Sequence, residues 1–182
     1  MGEQKTLSPG TGFGSGRIAF VALGSNLGDS TRIVRSAMAR LQQLTDQPLV
    51  KSSLWETEPV DCPPGTRPFI NAVVGIHASP TETPESLLAK LQQIEDEFGR
   101  LRTGARNEPR TLDLDLIAFG DETRQTPELT LPHPRAHLRR FVLEPLAEIA
   151  PELVLPGQIL SVRELLARLP PAHCKRIELT PT

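Results

Sequence analysis

A chain of 182 residues, 38% hydrophobic and 23% charged, is sized for one ordinary domain whose core can fold without metal or disulfide staples. Its net charge of −2, from 20 basic and 22 acidic residues, argues against general electrostatic attraction to nucleic acid. No apolar run approaches the ~20 residues that cross a bilayer, and Met1–Arg17 lacks the apolar segment of a secretory signal, so a cytoplasmic protein free of membrane is expected.

Residues 1–16 are Gly/Ser-rich and aperiodic, which predicts a disordered tail ahead of a single domain over 17–182. Arg17 to Leu23 is a short continuous apolar run, the mark of a buried strand. It stops at the turn-rich Gly24-Ser25-Asn26-Leu27-Gly28-Asp29. Asp29 or Ser30 then caps a helix with Val34, Ala37, Met38, Leu41 and Leu44 on one face. A second strand is predicted over Leu49 to Thr57 and a third over Phe69 to His77, with a Pro-rich loop between them. Thr83 caps the second helix and Pro84 takes its first position. Its apolar stripe is Leu87, Leu88, Leu91, Ile94 and Phe98, and Gly99 ends it. An Arg-rich loop, Arg100 to Arg110, leads into a fourth strand over Thr111 to Phe119. The order β-α-β-β-α-β predicts an α+β, ferredoxin-like antiparallel sheet with both helices on one face. Residues 130–182 read as a C-terminal extension of short helices broken by proline. Cys62 and Cys174 are far apart and are read as free thiols.

Arg110-Thr111-Leu112-Asp113-Leu114-Asp115-Leu116-Ile117 carries the strongest chemical signal. Side chains alternate along a strand, so Asp113 and Asp115 share one face and Leu112, Leu114 and Leu116 the other. Two carboxylates ~7 Å apart on one strand repel unless a cation lies between them. Mg²⁺ takes such oxygen ligands together with substrate phosphates. A solvated face is the competing reading, but Asp is disfavoured within strands. Arg100, Arg102, Arg106 and Arg110 stand just upstream, and sixteen of the 20 basic residues are Arg. Their planar donor forks suit phosphates, whereas a plain solubilising surface is the alternative. Together the two features fit phosphoryl-type transfer, which needs positioning and electrostatic stabilisation more than covalent help. His133, between Pro132 and Pro134, sits on a rigid turn and is either a phosphate partner or a turn residue with no ligand. No GxGxxG, GK[ST], GxSxG or HExxH run is present.

Several blocks in order carry a resemblance: ALGSNLGD (22–29), ETEP (56–59), PFINAVV (68–74), IE…GRLR (94–102), PRTLDLDLIAFG (109–120) and LPHP…RRFVLEPLAEIAPE (131–152). Over about residues 17–155 the chain resembles the 6-hydroxymethyl-7,8-dihydropterin pyrophosphokinases of folate synthesis. The resemblance implies transfer of pyrophosphate from ATP to the pterin hydroxymethyl group, with release of AMP. It implies two Mg²⁺ ions on Asp113 and Asp115, and phosphate contacts from Arg100, Arg110, His133 and Arg139. Gln92 and Glu95 would line the ATP side, and Arg102 would belong to a closing loop. Phe69 and Phe141 would sandwich the pterin, while Thr57, Asn71 and the backbone near Val60 read its polar edge. The residues themselves suit these roles: flat rings stack on flat heterocycles, and an Asn amide offers both a donor and an acceptor. Core packing is the competing reading for each Phe. ATP and the pterin are the partners implied, for a monomer. Asn107 and Glu108 stand where the family usually has Trp-Gly, which removes a large apolar plane from the closing loop.

Two other classes compete. A divergent homologue would bind nucleotide or pterin with low or altered activity. A ferredoxin-like RNA-binding domain would need aromatics in an RNP-type pattern; no such pattern is present, and the chain has no Tyr.

Overall fold

The computed structural model describes residues 17–99 and 111–177. The expected tail over 1–16 and the Arg-rich loop fall outside these residues. The first strand, β1 (Ile18–Ser25), leads into α1 (Ser30–Gln42). The Asp29 carboxylate caps α1 by accepting the Arg32 N–H at 3.2 Å. Next come β2 (Val50–Lys51), β3 (Leu54–Thr57), β4 (Phe69–His77) and α2 (Pro84–Glu97). A reciprocal Thr83–Ser86 capping box opens α2. The predicted single strand over Leu49 to Thr57 is therefore two short strands. Ser52 Oγ accepts the Val73 N–H at 2.9 Å. The Ser53 N–H leaves the ladder for the Glu148 carboxylate at 2.5 Å. A backbone donor spent on a distant side chain interrupts the strand.

The chain continues through β5 (Asp113–Phe119), a small hairpin of β6 (Arg124–Gln125) and β7 (Thr130–Leu131), and one 3₁₀ turn over Ala136–Leu138. It ends in α3 (Arg140–Ile149), α4 (Val162–Arg168) and β8 (Cys174–Ile177). The main sheet runs β5-β1-β4-β3-β8, with β2 also on β4. All of its pairings are antiparallel.

Two apolar layers explain the composition of the strands. Ala19, Val21 and Leu23 of β1 meet Val34, Ala37 and Leu41 of α1 and Leu87, Leu91 and Ile94 of α2. Ile18 and Phe20 point the other way, toward Val142, Leu143 and Leu146 of α3 and Val162 and Leu165 of α4. Burial on both faces is why β1 reads as one continuous apolar run. The expectation of helices on one face is thus met by α1 and α2, while the C-terminal extension covers the other face. Leu112, just before β5, and Leu114 and Leu116 on it join the α1–α2 layer as alternation predicts. The register against β1 then slips between Phe20 and Val21, leaving Ile117 as the extra residue. Ile117 and Ala118 both pack toward α3 and α4, and Phe119 returns to the first layer. A bulge resets the alternation in this way. No helix among the described residues is long and apolar enough to cross a membrane.

Candidate active site

The strand ends converge at one edge of the α3 side of the sheet. Gly24 of β1 pairs with Asp113 on one side and Asn71 on the other. Ala22 pairs likewise with Asp115 and Val73. Thr57 stands opposite Phe69. Cross-strand partners share a face, so on this face β5 carries the two carboxylates, β1 the small Ala22 and Gly24, β4 the Asn71 amide and Phe69 ring, and β3 the Thr57 hydroxyl. The 3₁₀ turn and the start of α3 add His133, Arg135, Arg139 and Phe141 above them. Together these residues line a cavity of about 500 Å³. It brings together Thr57, Val60, Phe69, Asn71, Asp113, Asp115, His133, Arg139 and Phe141, nine residues singled out in the sequence.

Gly24 is needed at the floor of this cavity. A Cβ there would lie 2.9 Å from Asn71 Oδ1 and 4.0 Å from the Phe69 ring. Asn71 and Thr57 are both buried. The Asn71 Nδ2–H donates to Thr57 Oγ1 at 2.5 Å. The Thr57 hydroxyl thus accepts and keeps its own proton for donation, and Asn71 keeps its carbonyl as an acceptor. On the opposite wall the Arg139 guanidinium lies over the Phe141 ring, 5.3 Å from its centroid. That cation–π contact joins a phosphate-suited charge to an aromatic face.

His133 is fixed from both ends. Its backbone N–H donates to Ile117 O at 2.8 Å. Its Nδ1 accepts the Arg135 N–H at 3.1 Å, so the neutral ring carries its proton on Nε2. Burial first, then the Arg139 and Arg135 charges, pull its pKa down to about 4, against an opposing pull from Asp113. His133 and Asp115 also line a second cavity of about 270 Å³, with Leu88, Leu116, Glu128 and Thr130. These two residues are therefore the wall shared by the two spaces.

Two expected residues stand apart from both cavities. Gln92 is exposed on α2. Glu95 is buried, 2% exposed, and its Oε2 accepts the Leu114 N–H at 3.0 Å between the two aspartates. It thereby braces the strand that carries them. Arg100, Arg102, Arg106, Asn107, Glu108 and Arg110 lie outside the described residues.

The chain matches the family described as 7,8-dihydro-6-hydroxymethylpterin-pyrophosphokinase (HPPK) over residues 20–151. The chain belongs to the HPPK family. It is 41% identical over 165 residues to a 2-amino-4-hydroxy-6-hydroxymethyldihydropteridine pyrophosphokinase of Haemophilus influenzae, covering 90% of this chain and 98% of that protein. It is 44% identical over 137 residues to the Bacillus subtilis protein of the same name, covering 75% and 80%. Among solved structures, the HPPK-DHPS of Plasmodium falciparum with pteroate matches with a TM-score of 0.65. At 15% identity that likeness concerns the fold, and the match spans 84% of this chain but only 42% of the longer one.

Reading the HPPK chain by sequence missed Gly24, Glu58, Asp61, Cys62, Arg135 and Leu138 as cavity-lining residues. Glu58 and Asp61 sit in a Pro-rich loop that has no period to read. Arg135 follows His133 by two residues, so the spacing of the PHPR run, taken with a turn, was the available signal for it.

Proposed function

We infer that this protein transfers pyrophosphate from ATP to 6-hydroxymethyl-7,8-dihydropterin, giving the pterin diphosphate and AMP in folate biosynthesis. The observation that carries this reading is the pair of adjoining cavities sharing Asp115 and His133 as their wall. A transfer between two bound substrates needs the donor on one side and the acceptor on the other, with the transferred group at the boundary. The larger space holds the aromatic and amide groups suited to a pterin. The smaller one takes the nucleotide.

In this reading Phe69 and Phe141 stack on the pterin, and Asn71, Thr57 and the backbone near Val60 pair with its polar edge. The hydroxymethyl oxygen forms a bond to the β-phosphorus. The bond from that phosphorus to the α,β-bridging oxygen breaks, AMP departs with the electron pair, and the hydroxyl proton passes to solvent. No protein nucleophile takes part. Arg139 and the His133 Nε2–H hold phosphate oxygens, joined by Arg100, Arg110 and the loop residue Arg102; Glu95 serves the ATP side indirectly, by holding β5 at the Leu114 N–H, and Gln92 lies on the same helix outside both cavities.

Asp113 and Asp115 fit two Mg²⁺ ions. They are hard oxygen donors on one strand face, lining the cavity, and Mg²⁺ commonly takes one or two carboxylates with the rest from phosphate and water. Bound there, Mg²⁺ supplies neutralisation of the triphosphate charge.

The finer reading of the fold takes β2 and β3 as one interrupted strand, giving a ferredoxin-like split βαβ core within a single domain over 17–182. The protein acts as a monomer in the cytoplasm. A divergent member of low or altered activity is not favoured, given relatives of this enzyme name at 38–44% identity over most of the chain. Incubation with ATP, Mg²⁺ and the pterin, followed by identification of the nucleotide product, tests the activity. AMP is expected; ADP or no product would overturn it.

A further inference from the structure

We propose that Arg135 grips the phosphates that are transferred, and not the one that leaves with the nucleotide. This rests on the pyrophosphoryl-transfer reading above. Arg135 lines the larger cavity with Asp113, Asp115, Arg139 and Phe141. It is absent from the lining of the smaller cavity, although His133 and Pro134 border that space. The chain thus turns at Arg135 from one cavity to the other. A charge on the acceptor side meets the group that ends on the pterin.

The backbone of Arg135 is held in place. Its N–H donates to His133 Nδ1 at 3.1 Å. Its carbonyl accepts the Leu138 N–H at 3.0 Å, closing the 3₁₀ turn. Its side chain is uncommitted, with no ion pair or side-chain hydrogen bond among the described residues. Arg40, Arg124 and Arg140 are by contrast held by Glu97, Glu85 and Glu144, and what sets Arg135 apart from other uncommitted arginines is its place in the cavity lining. An exposed guanidinium on a fixed backbone keeps its donor fork for a ligand, and paired phosphate oxygens match that fork. The unphosphorylated pterin offers no such group. Arg135 therefore discriminates for the diphosphorylated product, and for the β,γ end of ATP.

The test measures binding of three ligands by calorimetry: the pterin, its diphosphate and AMP. Wild type, Arg135→Ala and Arg135→Lys are compared, with melting curves showing equal folding. Arg135→Ala should bind the diphosphate about 10- to 100-fold more weakly, the range for one lost charge-assisted hydrogen bond, with pterin and AMP changed less than about two-fold. Arg135→Lys should fall between, since it keeps the charge but loses the fork. Unchanged diphosphate binding in Arg135→Ala, or an equal loss for all three ligands, overturns the inference alone. A wild type that binds none of the three overturns it together with the proposed activity.

Discussion

Asn71 lies between Thr57, which accepts its Nδ2–H at 2.5 Å, and Gly24, whose missing Cβ would stand 2.9 Å from its Oδ1. The amide is thus held at one end by a hydrogen bond and given room at the other by a glycine. Gly24 sits mid-row in the sheet, with Asp113 on its far side. Its role is close approach, since its backbone is paired in the ladder on both edges.

Gly24→Ala should therefore act on the pterin and spare the nucleotide. The added methyl pushes Asn71 away from the cavity or off Thr57, and a displaced buried amide costs about 1–3 kcal/mol. We expect the KM for the pterin to rise about ten-fold or more, as 1.4 kcal/mol is a factor of ten, with the KM for ATP little changed. Equal rises in both constants would show that the substitution deforms the whole sheet edge.

Asp113→Ala and Asp115→Ala should each nearly abolish AMP release while leaving the fold intact. Removing one carboxylate takes away metal ligation, and circular dichroism should show the secondary structure unchanged. The two variants should differ in ATP binding, because Asp115 borders both cavities and Asp113 only the larger. Calorimetry with MgATP should show the greater loss in Asp115→Ala.

The strand face of Asp113 and Asp115 was legible because alternation is local and needs no partner. The helix caps Asp29 and Thr83 were legible for the same reason. The break at Ser52–Ser53 was not, since the group that takes the Ser53 N–H, Glu148, lies 95 residues away. β8 escaped notice because its four residues are polar in the middle and order only against Leu54–Thr57. Thr57 and Asn71 were visible only through family resemblance. Their mutual hydrogen bond is a product of register, which pairs Trp55 with Asn71 and Thr57 with Phe69. Gly24 read as the opening of a turn, whereas it continues β1 to Ser25; its function, the absence of a side chain beside Asn71, leaves no pattern to read.

Stability should fall as acid reaches His133. Burial and the neighbouring arginines hold its folded pKa at about 4, below the usual 6.5. Between these values the unfolded chain binds more protons than the folded one, so stability is lost as pH drops through that window. The ring is partly exposed and solvent screens it, leaving a loss of about 1 kcal/mol between pH 7 and pH 5. Urea unfolding of wild type and His133→Gln at both pH values checks this. The variant should lose less stability on acidification, and equal losses would place the acid sensitivity elsewhere.

The two thiols should separate by reactivity and by response to substrate. Both are free and partly exposed. Burial, with the Glu144 carboxylate nearby, pushes the Cys174 thiol up to about 11, so almost none of it is thiolate at pH 8, and the thiolate is the reactive form. Cys62 lines the larger cavity, and its Sγ lies 3.3 Å from Val60 O, on the segment assigned to the pterin edge. Iodoacetamide at pH 8 should therefore modify Cys62 first, as peptide mass mapping would show. Pterin at saturating concentration should slow that reaction, whereas AMP, directed to the smaller cavity, should leave it unchanged. Slowing by AMP alone would reverse the assignment of the two cavities. Modification of Cys174 at the rate of Cys62 would mean that β8 opens readily from β3. Deuterium exchange at the β8 amides that donate to β3 would then be fast as well, and protection of those amides would contradict that opening.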